Sequence, residues 1–251
     1  MYNEEKTIRT LFANARGQLI GKFGTIIGAN VLASVIAAAT AYVPAIISAN
    51  TEFSFYISTA ITFIISLFIG VLYFGISKMY LKIARGNEAI TVGDMFNIKG
   101  YNIDKILVIR AFPVVIEIIF AIVTYQLRKG LWGSVTIIGW VYLLMIIQGV
   151  IVFLLDFFLL FANFVLIDNP DMQTIDILKK SCELLNGRRV KYLLMALIFI
   201  PLRIAGYLAC GVGLLWTEPF IGTVKANFYL DAIGEEPLSP EREEKKASLT
   251  Q

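Results

Sequence analysis

Five ionisable side chains lie inside long apolar stretches of this sequence, where they could form ion pairs, carry a proton or bind an ion. They are Arg110, Glu117, Asp156, Arg203 and Glu218. A charge at the centre of a bilayer costs at least ~2.5 kcal/mol on insertion scales, so such residues are candidate functional sites. The chain contains no histidine, which excludes imidazole metal ligands and histidine general bases.

The positions of these residues predict two interhelical ion pairs. Arg110 and Asp156 lie at similar depths from one membrane face, and Arg203 and Glu218 both lie towards the other. Each pairing would neutralise charge and hold two helices in register. Glu117 follows Arg110 by seven residues on about the same helix face, and it has no obvious cation if Asp156 takes Arg110. It could be protonated, share Arg110 or line a polar cavity, and it is the first candidate for ion or proton handling.

The composition is that of a membrane protein. Hydrophobic residues make up 57% of the 251 residues and charged residues 16%, whereas soluble domains average about 25% charged residues. This balance excludes an ordinary soluble enzyme, a disordered chain and a nucleic-acid-binding domain. Since one span needs ~20 apolar residues, the chain is long enough for six.

Six transmembrane helices are predicted along the chain. They fall within residues 23–51, 53–77, 106–125, 130–167, 192–209 and 214–231. Residues 1–22 alternate charged and apolar positions at helical spacing, which predicts an amphipathic helix at the membrane surface. The polar tail 234–251 is predicted to be disordered, and residues 1–233 form a single membrane domain.

Basic residues orient these spans. Lys and Arg occur four times in residues 1–22, six times in residues 78–110 and five times in residues 179–191. The turns near 43–54 and 206–214 carry none, whereas Arg128 and Lys129 run against the trend. The positive-inside rule therefore predicts a multi-pass membrane protein with both termini in the cytoplasm. The same basic residues are expected to contact anionic lipids at the cytoplasmic face.

The polar segments suggest an internal threefold repeat. Thr7, Thr91 and Thr174 open similar segments, TIRTLF, TVGDMF and TIDILK, and are predicted to cap helices. A glycine and a lysine follow each segment before a hydrophobic hairpin: Gly17 and Lys22, Gly100 and Lys105, Gly187 and Lys191. The prediction is an all-α fold of three repeated hairpins, at about 1–84, 85–167 and 168–233, each preceded by a cytoplasmic amphipathic surface helix. Chance similarity is the alternative, since sequence identity is low.

Two stretches resemble a family of integral membrane proteins from Gram-positive bacteria. They read YLKIARGNEAITVGDMFNIKGYNIDK and IDILKKSCELLNGRRVKYLLMALIFIPLRIAGYLACGVGLLWTEPFIGTVKANFY. The family is known as domain of unknown function nine-seven-five, and the resemblance covers nearly the whole chain. It implies a multi-pass architecture in the bacterial cell membrane and no assigned activity, so it transfers no catalytic residue.

The residues favour a non-catalytic function. The sequence lacks a phosphate-binding loop, a dinucleotide glycine pattern, HExxH, a zinc-spaced cysteine pair and a Gly-x-Ser-x-Gly elbow. We expect no cofactor, no metal and no nucleic-acid partner. The leading hypothesis is a membrane module that binds a partner protein, peptide or lipid, in envelope stress, immunity or complex assembly. The alternative is a transporter or permease-like subunit that uses the five intramembrane charges. An intramembrane enzyme would need a nucleophile and base within reach, and no convincing pair is present.

Overall fold

The computed structural model describes residues 6–47, 51–86, 90–130, 136–209 and 211–237, and all regular structure in these ranges is helical. The α-helices there are α1 (Ile8–Leu19), α2 (Phe23–Ile47), α3 (Glu52–Ala84), α4 (Ile103–Gly130), α5 (Thr136–Phe158), α6 (Ala162–Asp168), α7 (Thr174–Leu185), α8 (Arg189–Leu208) and α9 (Leu214–Ile233). The predicted all-α class is therefore confirmed. Most of the predicted disordered tail, residues 238–251, lies outside the described residues.

Four helical stretches in the described chain are long and apolar enough to cross a membrane. They are α3, α4, residues 138–168 and α8. A fifth arises if α1 and the first part of α2 count as one span, bent by 94° at its break. Six spans were predicted. α2 is counted there with α1, although it is by itself a 25-residue helix without a charged side chain. α9 does not qualify, because it carries Glu218, Lys225 and Asp231. The protein thus has the features of a multi-pass membrane protein with four or five candidate spans.

The buried core lies at one end of the helices, which we call the packed end. Its large side chains come from α1, the start of α2, the end of α3, the start of α4, α6, α7, the start of α8 and the end of α9; they include Leu11, Ile26, Phe74, Met79, Ile106, Phe164, Ile177, Met195 and Phe228. Residues 52–69 of α3, 115–130 of α4 and 200–208 of α8 bury only Ser54, Ser58 and Gly206. The helices therefore share a core at the packed end and bury little at the other.

A buried amide pair crosses the core at the packed end. Gln18 Nε2 donates to Asn227 Oδ1 at 3.0 Å, and Asn227 Nδ2 donates back to Gln18 Oε1 at 2.8 Å. Buried polar groups require such partners, since leaving one unsatisfied costs about 1–3 kcal/mol. The pair fixes α1 against α9.

Two of the three segments predicted to form helices before the hairpins do form α-helices, α1 and α7. The second is only a five-residue 3-10 helix, Val92–Phe96, since Gly93 and Asn97 are poor α-helix formers. The prediction of an amphipathic helix there was wrong. Its Thr91 cap is confirmed, because the Thr91 N–H donates to Asp94 Oδ2 at 2.8 Å.

The other two threonines differ from each other. Thr7 caps α1, and its side chain accepts a hydrogen bond from the Thr10 N–H at 3.3 Å. Thr174 is instead the first residue of α7, whose N-cap position is Gln173, so that capping prediction was wrong.

A glycine in the left-handed conformation precedes α2, α4 and α8. The φ angles of Gly21, Gly100 and Gly187 are +78°, +88° and +80°. The last two match the predicted repeat glycines, whereas Gly17 lies within α1, so the equivalent residue in the first segment is Gly21. Since side chains strain this conformation, glycine turns the chain at the same point of each segment.

Candidate functional site

Arg203 on α8 and Glu218 on α9 form an ion pair. Arg203 Nε donates to Glu218 Oε1 at 2.8 Å, and Nη2 donates to Oε2 at 3.2 Å. The pairing predicted from the sequence is confirmed. Two parallel hydrogen bonds orient the guanidinium and carboxylate planes as well as neutralising them. Both side chains remain partly exposed, at 46% and 39%, so the pair lies at the edge of the packed helices rather than in the core.

Further charged and polar groups gather beside this pair, between α5 and the α8–α9 hairpin. Lys225 on α9 is within electrostatic range of Asp156, Arg203 and Glu218. Tyr192 on α8 is likewise near Asp156 and Arg203. We call this region, formed by Asp156, Tyr192, Arg203, Glu218 and Lys225, the seam. It brings together charges from three helices that the sequence places far apart.

An interruption between α5 and α6 shapes one side of the seam. The Ser181 hydroxyl on α7 donates to the Phe158 carbonyl at 2.9 Å and accepts from the Phe161 N–H at 3.2 Å. These bonds satisfy backbone groups freed where the helix is interrupted, as an inserted side chain does at a helix kink. Asp156 lies two residues before this interruption. The Phe157 ring contacts Tyr192, with 5.1 Å between ring centroids, and so joins α5 to α8.

Arg110 and Asp156 line one small cavity but form no ion pair within the described residues. The cavity has a volume of about 110 Å³ and is also lined by Gly70, Tyr73 and Asn163. Arg110 Nε is buried and has no hydrogen-bond partner in the described part of the chain. The predicted approach of these two residues across the α4–α5 hairpin is therefore found, whereas their predicted neutralisation is not.

Glu117 is separate from these groups. It lies near the middle of α4, and its side chain is exposed. Among the described residues no ion pair involves it. The structure therefore brings Arg203, Glu218 and Asp156 to the seam, places Arg110 at the adjoining cavity, and leaves Glu117 apart. The structure does not place Glu117 in the cavity that Arg110 lines.

A family model described as Protein of unknown function (DUF975) matches residues 1–235, which include α1 to α9 and every candidate residue. The chain belongs to this family. No curated protein and no solved structure matches the chain. The family resemblance seen in the sequence is thus confirmed over nearly the full length.

A second charged cluster in this DUF975 chain lies at the packed end. Arg85 donates two hydrogen bonds to Asp168, at 2.7 and 2.8 Å, and two to Glu235, at 2.9 and 2.8 Å. The Tyr229 hydroxyl also donates to Asp168, at 2.9 Å. The hydrogen bonds to Asp168, followed by those to Glu235, raise the pKa of Arg85 above its ordinary value. We call Arg85, Asp168, Glu235 and Tyr229 the junction cluster, because its three charged members lie at the predicted boundaries of the repeat units.

Sequence reasoning missed Lys225 and the junction cluster. Lys225 follows Glu218 by seven residues within the predicted sixth span, so the helical repeat places both on one face. That spacing could have identified it. The junction cluster joins residues 83 and 150 positions apart, and its only sequence signal is that each member follows a predicted hairpin.

The described residues contain no group of three or more His, Cys, Asp or Glu that could hold a metal ion. What the seam offers chemically is paired charge and hydrogen-bond donors beside apolar helix surface. Such an arrangement can bind and orient a molecule that has both a charged and an apolar part.

Proposed function

We propose that this chain is a six-span protein of the cell membrane, built from three repeated hairpins with both termini in the cytoplasm. Three observations support the repeat: left-handed glycines precede α2, α4 and α8, the junction cluster joins the unit boundaries, and α1 and α7 precede equivalent hairpins.

The orientation is supported by the basic residues of the packed end, such as Lys82, Arg85 and Lys191. The Lys6 N–H donates to Asp231, so the start of α1 and the end of α9 lie on one side.

We further propose that the protein is a non-catalytic module that binds a membrane lipid at the seam. The observation that carries this proposal is the convergence of Asp156, Arg203, Glu218 and Lys225 between α5 and the α8–α9 hairpin. Charges in a span are costly and are retained where they serve binding or pairing. The partial exposure of Arg203 and Glu218 leaves them accessible from the membrane.

The surroundings of the seam suit an amphiphile. α5 and α8 present exposed apolar side chains, including Phe153, Leu154, Ile200 and Ile204. A lipid could place its acyl chains along these surfaces and its polar group at the charges. A soluble ligand would gain nothing from the apolar part, which is why a lipid is the better fit.

Lipid retention by the purified full chain tests this proposal. Native mass spectrometry in mild detergent should find bound phospholipid on the wild type and loss of it from an R203Q/E218Q double variant. The matched control is K129Q/E52Q, which removes an interhelical ion pair remote from the seam. Equal retention by both double variants would contradict lipid binding at the seam.

Photo-crosslinking distinguishes a lipid from a protein or peptide partner. A photoreactive side chain at Tyr207, an exposed residue that interacts electrostatically with Arg203, should yield a lipid adduct in cells. The same group at exposed Tyr142 on α5 is the control for general contact with bilayer lipid. A protein or peptide adduct specific to position 207 would overturn the lipid assignment and favour a docking function.

One observation favours a transporter as the second candidate. Glu117 lies at the centre of α4, where the helices bury little, and an ionisable group there is suited to carrying a proton. A transporter should produce a proton flux in proteoliposomes that contain a pH-sensitive dye, and Glu117→Gln should abolish it. Absence of flux in the wild type would eliminate this candidate and leave the binding module.

A further inference from the structure

The cavity between α3, α4 and α5 adjoins the seam and has the features of a phosphate site. It encloses about 110 Å³ between Gly70, Arg110, Asp156 and Asn163. Since a cavity of about 10–15 Å³ by this measure holds one water, this cavity has room for a larger polar group.

The Arg110 side chain lies at this cavity and has an N–H donor that no described residue accepts from. A Cβ atom at Gly70 would overlap the Arg110 side chain, so the glycine lets α3 lie directly against it. Arg110 Nε is buried and lacks a hydrogen-bond partner in the described part of the chain. A guanidinium presents five N–H donors in a rigid fork, which matches the oxygen atoms of a phosphate.

The charges around the cavity leave a positive excess. Arg203 is paired with Glu218, Lys225 lies within electrostatic range of Asp156, and Arg110 lines the cavity together with Asp156. Counted by formal charge, three cations and two carboxylates give +1 in the region made by the seam and the cavity. Since unbalanced charge in a low-dielectric region is unfavourable, an anion would complete this site.

The depth of Arg110 indicates a lipid phosphate. α4 has 28 residues and so rises ~42 Å, about the thickness of a bilayer with its headgroup regions. Arg110 follows Ile103 by seven residues and lies ~10 Å from that end of the helix, near the boundary between headgroups and hydrocarbon. The phosphates of the leaflet at the packed end are close to this level.

We propose that the cavity binds the phosphate group of an anionic phospholipid, with the Arg110 guanidinium as its principal ligand. This inference rests on the proposed lipid-binding function and names the chemical group that is recognised. Asn163, which also lines the cavity, is suited to donate a further hydrogen bond. Asp156 lies beside the phosphate position, where its carboxylate is suited to accept from a hydroxyl of the headgroup.

Binding of defined lipids to the purified full chain tests the proposal. Phosphatidylglycerol should raise the midpoint of thermal unfolding, and phosphatidylcholine should do so much less. Arg110→Gln should weaken phosphatidylglycerol binding by about tenfold or more, given the strength of charge-assisted hydrogen bonds. The control is Arg128→Gln, which removes an exposed arginine from the same face of α4 near its other end. Equal affinity in the two variants would overturn the assignment.

A second variant and a second ligand test the assignment of Arg110 independently. Gly70→Ala leaves every charge in place but pushes a methyl group into the Arg110 side chain, so it should also weaken binding if Arg110→Gln fails to fold. Stabilisation by inorganic phosphate alone, equal to that by the lipid, would overturn a lipid headgroup as the source. If R203Q/E218Q loses lipid while Arg110→Gln does not, the proposed function stands and this inference fails. If the wild type retains no lipid, both fail.

Discussion

The guanidinium of Arg85 meets the carboxylate of Asp168 through two parallel hydrogen bonds of 2.7 and 2.8 Å, although 83 residues separate them in the chain. The same guanidinium reaches Glu235, so one side chain joins the ends of α3, α6 and α9. These are the ends of the three hairpins that we propose. Arg85 thus joins three helix ends at a point where the helices already share a buried core.

Substitution of Arg85 should therefore destabilise the whole bundle. Arg85→Ala removes four hydrogen bonds to carboxylates and leaves Asp168 and Glu235 as neighbouring anions, at an expected loss of about 2–3 kcal/mol. Arg85→Lys keeps the charge but cannot reproduce the two-pronged geometry, so an intermediate loss is expected. Thermal unfolding of the detergent-solubilised chain, followed by circular dichroism, measures both. An Arg85→Lys variant as stable as the wild type would show that charge alone suffices.

The contact between α3 and α9 should be sensitive to a single added methyl group. A Cβ atom at Gly222 would overlap the Tyr80 ring, so Gly222→Ala should destabilise by about 1–3 kcal/mol through overpacking. The matched control is Gly139→Ala on α5, where no atom lies within 4 Å of the added Cβ. That variant should be neutral or slightly stabilising, because alanine is the better helix former. Equal unfolding midpoints for the two variants would contradict the close approach.

The Arg203–Glu218 pair should show energetic coupling. Arg203→Gln leaves the Glu218 carboxylate without its cation beside apolar surface, and Glu218→Gln leaves the guanidinium in the same state. The double variant should therefore be more stable than the sum of the single effects predicts, with a coupling of about 1 kcal/mol. A double-mutant cycle on unfolding midpoints measures this, and purely additive effects would show that the pair contributes no net stability.

Contacts between neighbouring helices could be predicted from the sequence. Contacts that require several distant segments to come together could not. Arg203 and Glu218 lie on adjacent antiparallel helices, so their depths alone indicated that they would meet. Arg110 and Asp156 also lie on adjacent helices and do share a cavity, but the direction of each side chain decides whether they pair. Depth estimates do not give that direction.

The junction cluster could not be predicted in this way. Its formation requires the ends of α3, α6 and α9 to meet, which depends on how these helices pack together at the packed end. Gly93 and Asn97 are weak α-helix formers, and the repeat pattern takes no account of such local propensities. That is why a surface helix was expected where the 3-10 helix Val92–Phe96 forms.

The turn before this 3-10 helix should weaken in acid. The Thr91 N–H donates to the Asp94 carboxylate at 2.8 Å, and this hydrogen bond is the largest cause that lowers the pKa of Asp94. The ion pair with Lys82, at 2.9 Å, lowers this pKa further. A carboxylate with a lowered folded-state pKa contributes stability that is complete above its unfolded pKa of about 3.9 and is lost as the pH falls through the folded value. The wild type should exceed Asp94→Asn in unfolding midpoint by a constant margin from about pH 7 to pH 5, and this margin should shrink below about pH 4.

Asp104→Asn, at an exposed position in the first turn of α4, serves as the control. A margin between the wild type and Asp94→Asn that persists unchanged to about pH 3 would mean that the charge of Asp94 does not stabilise the turn.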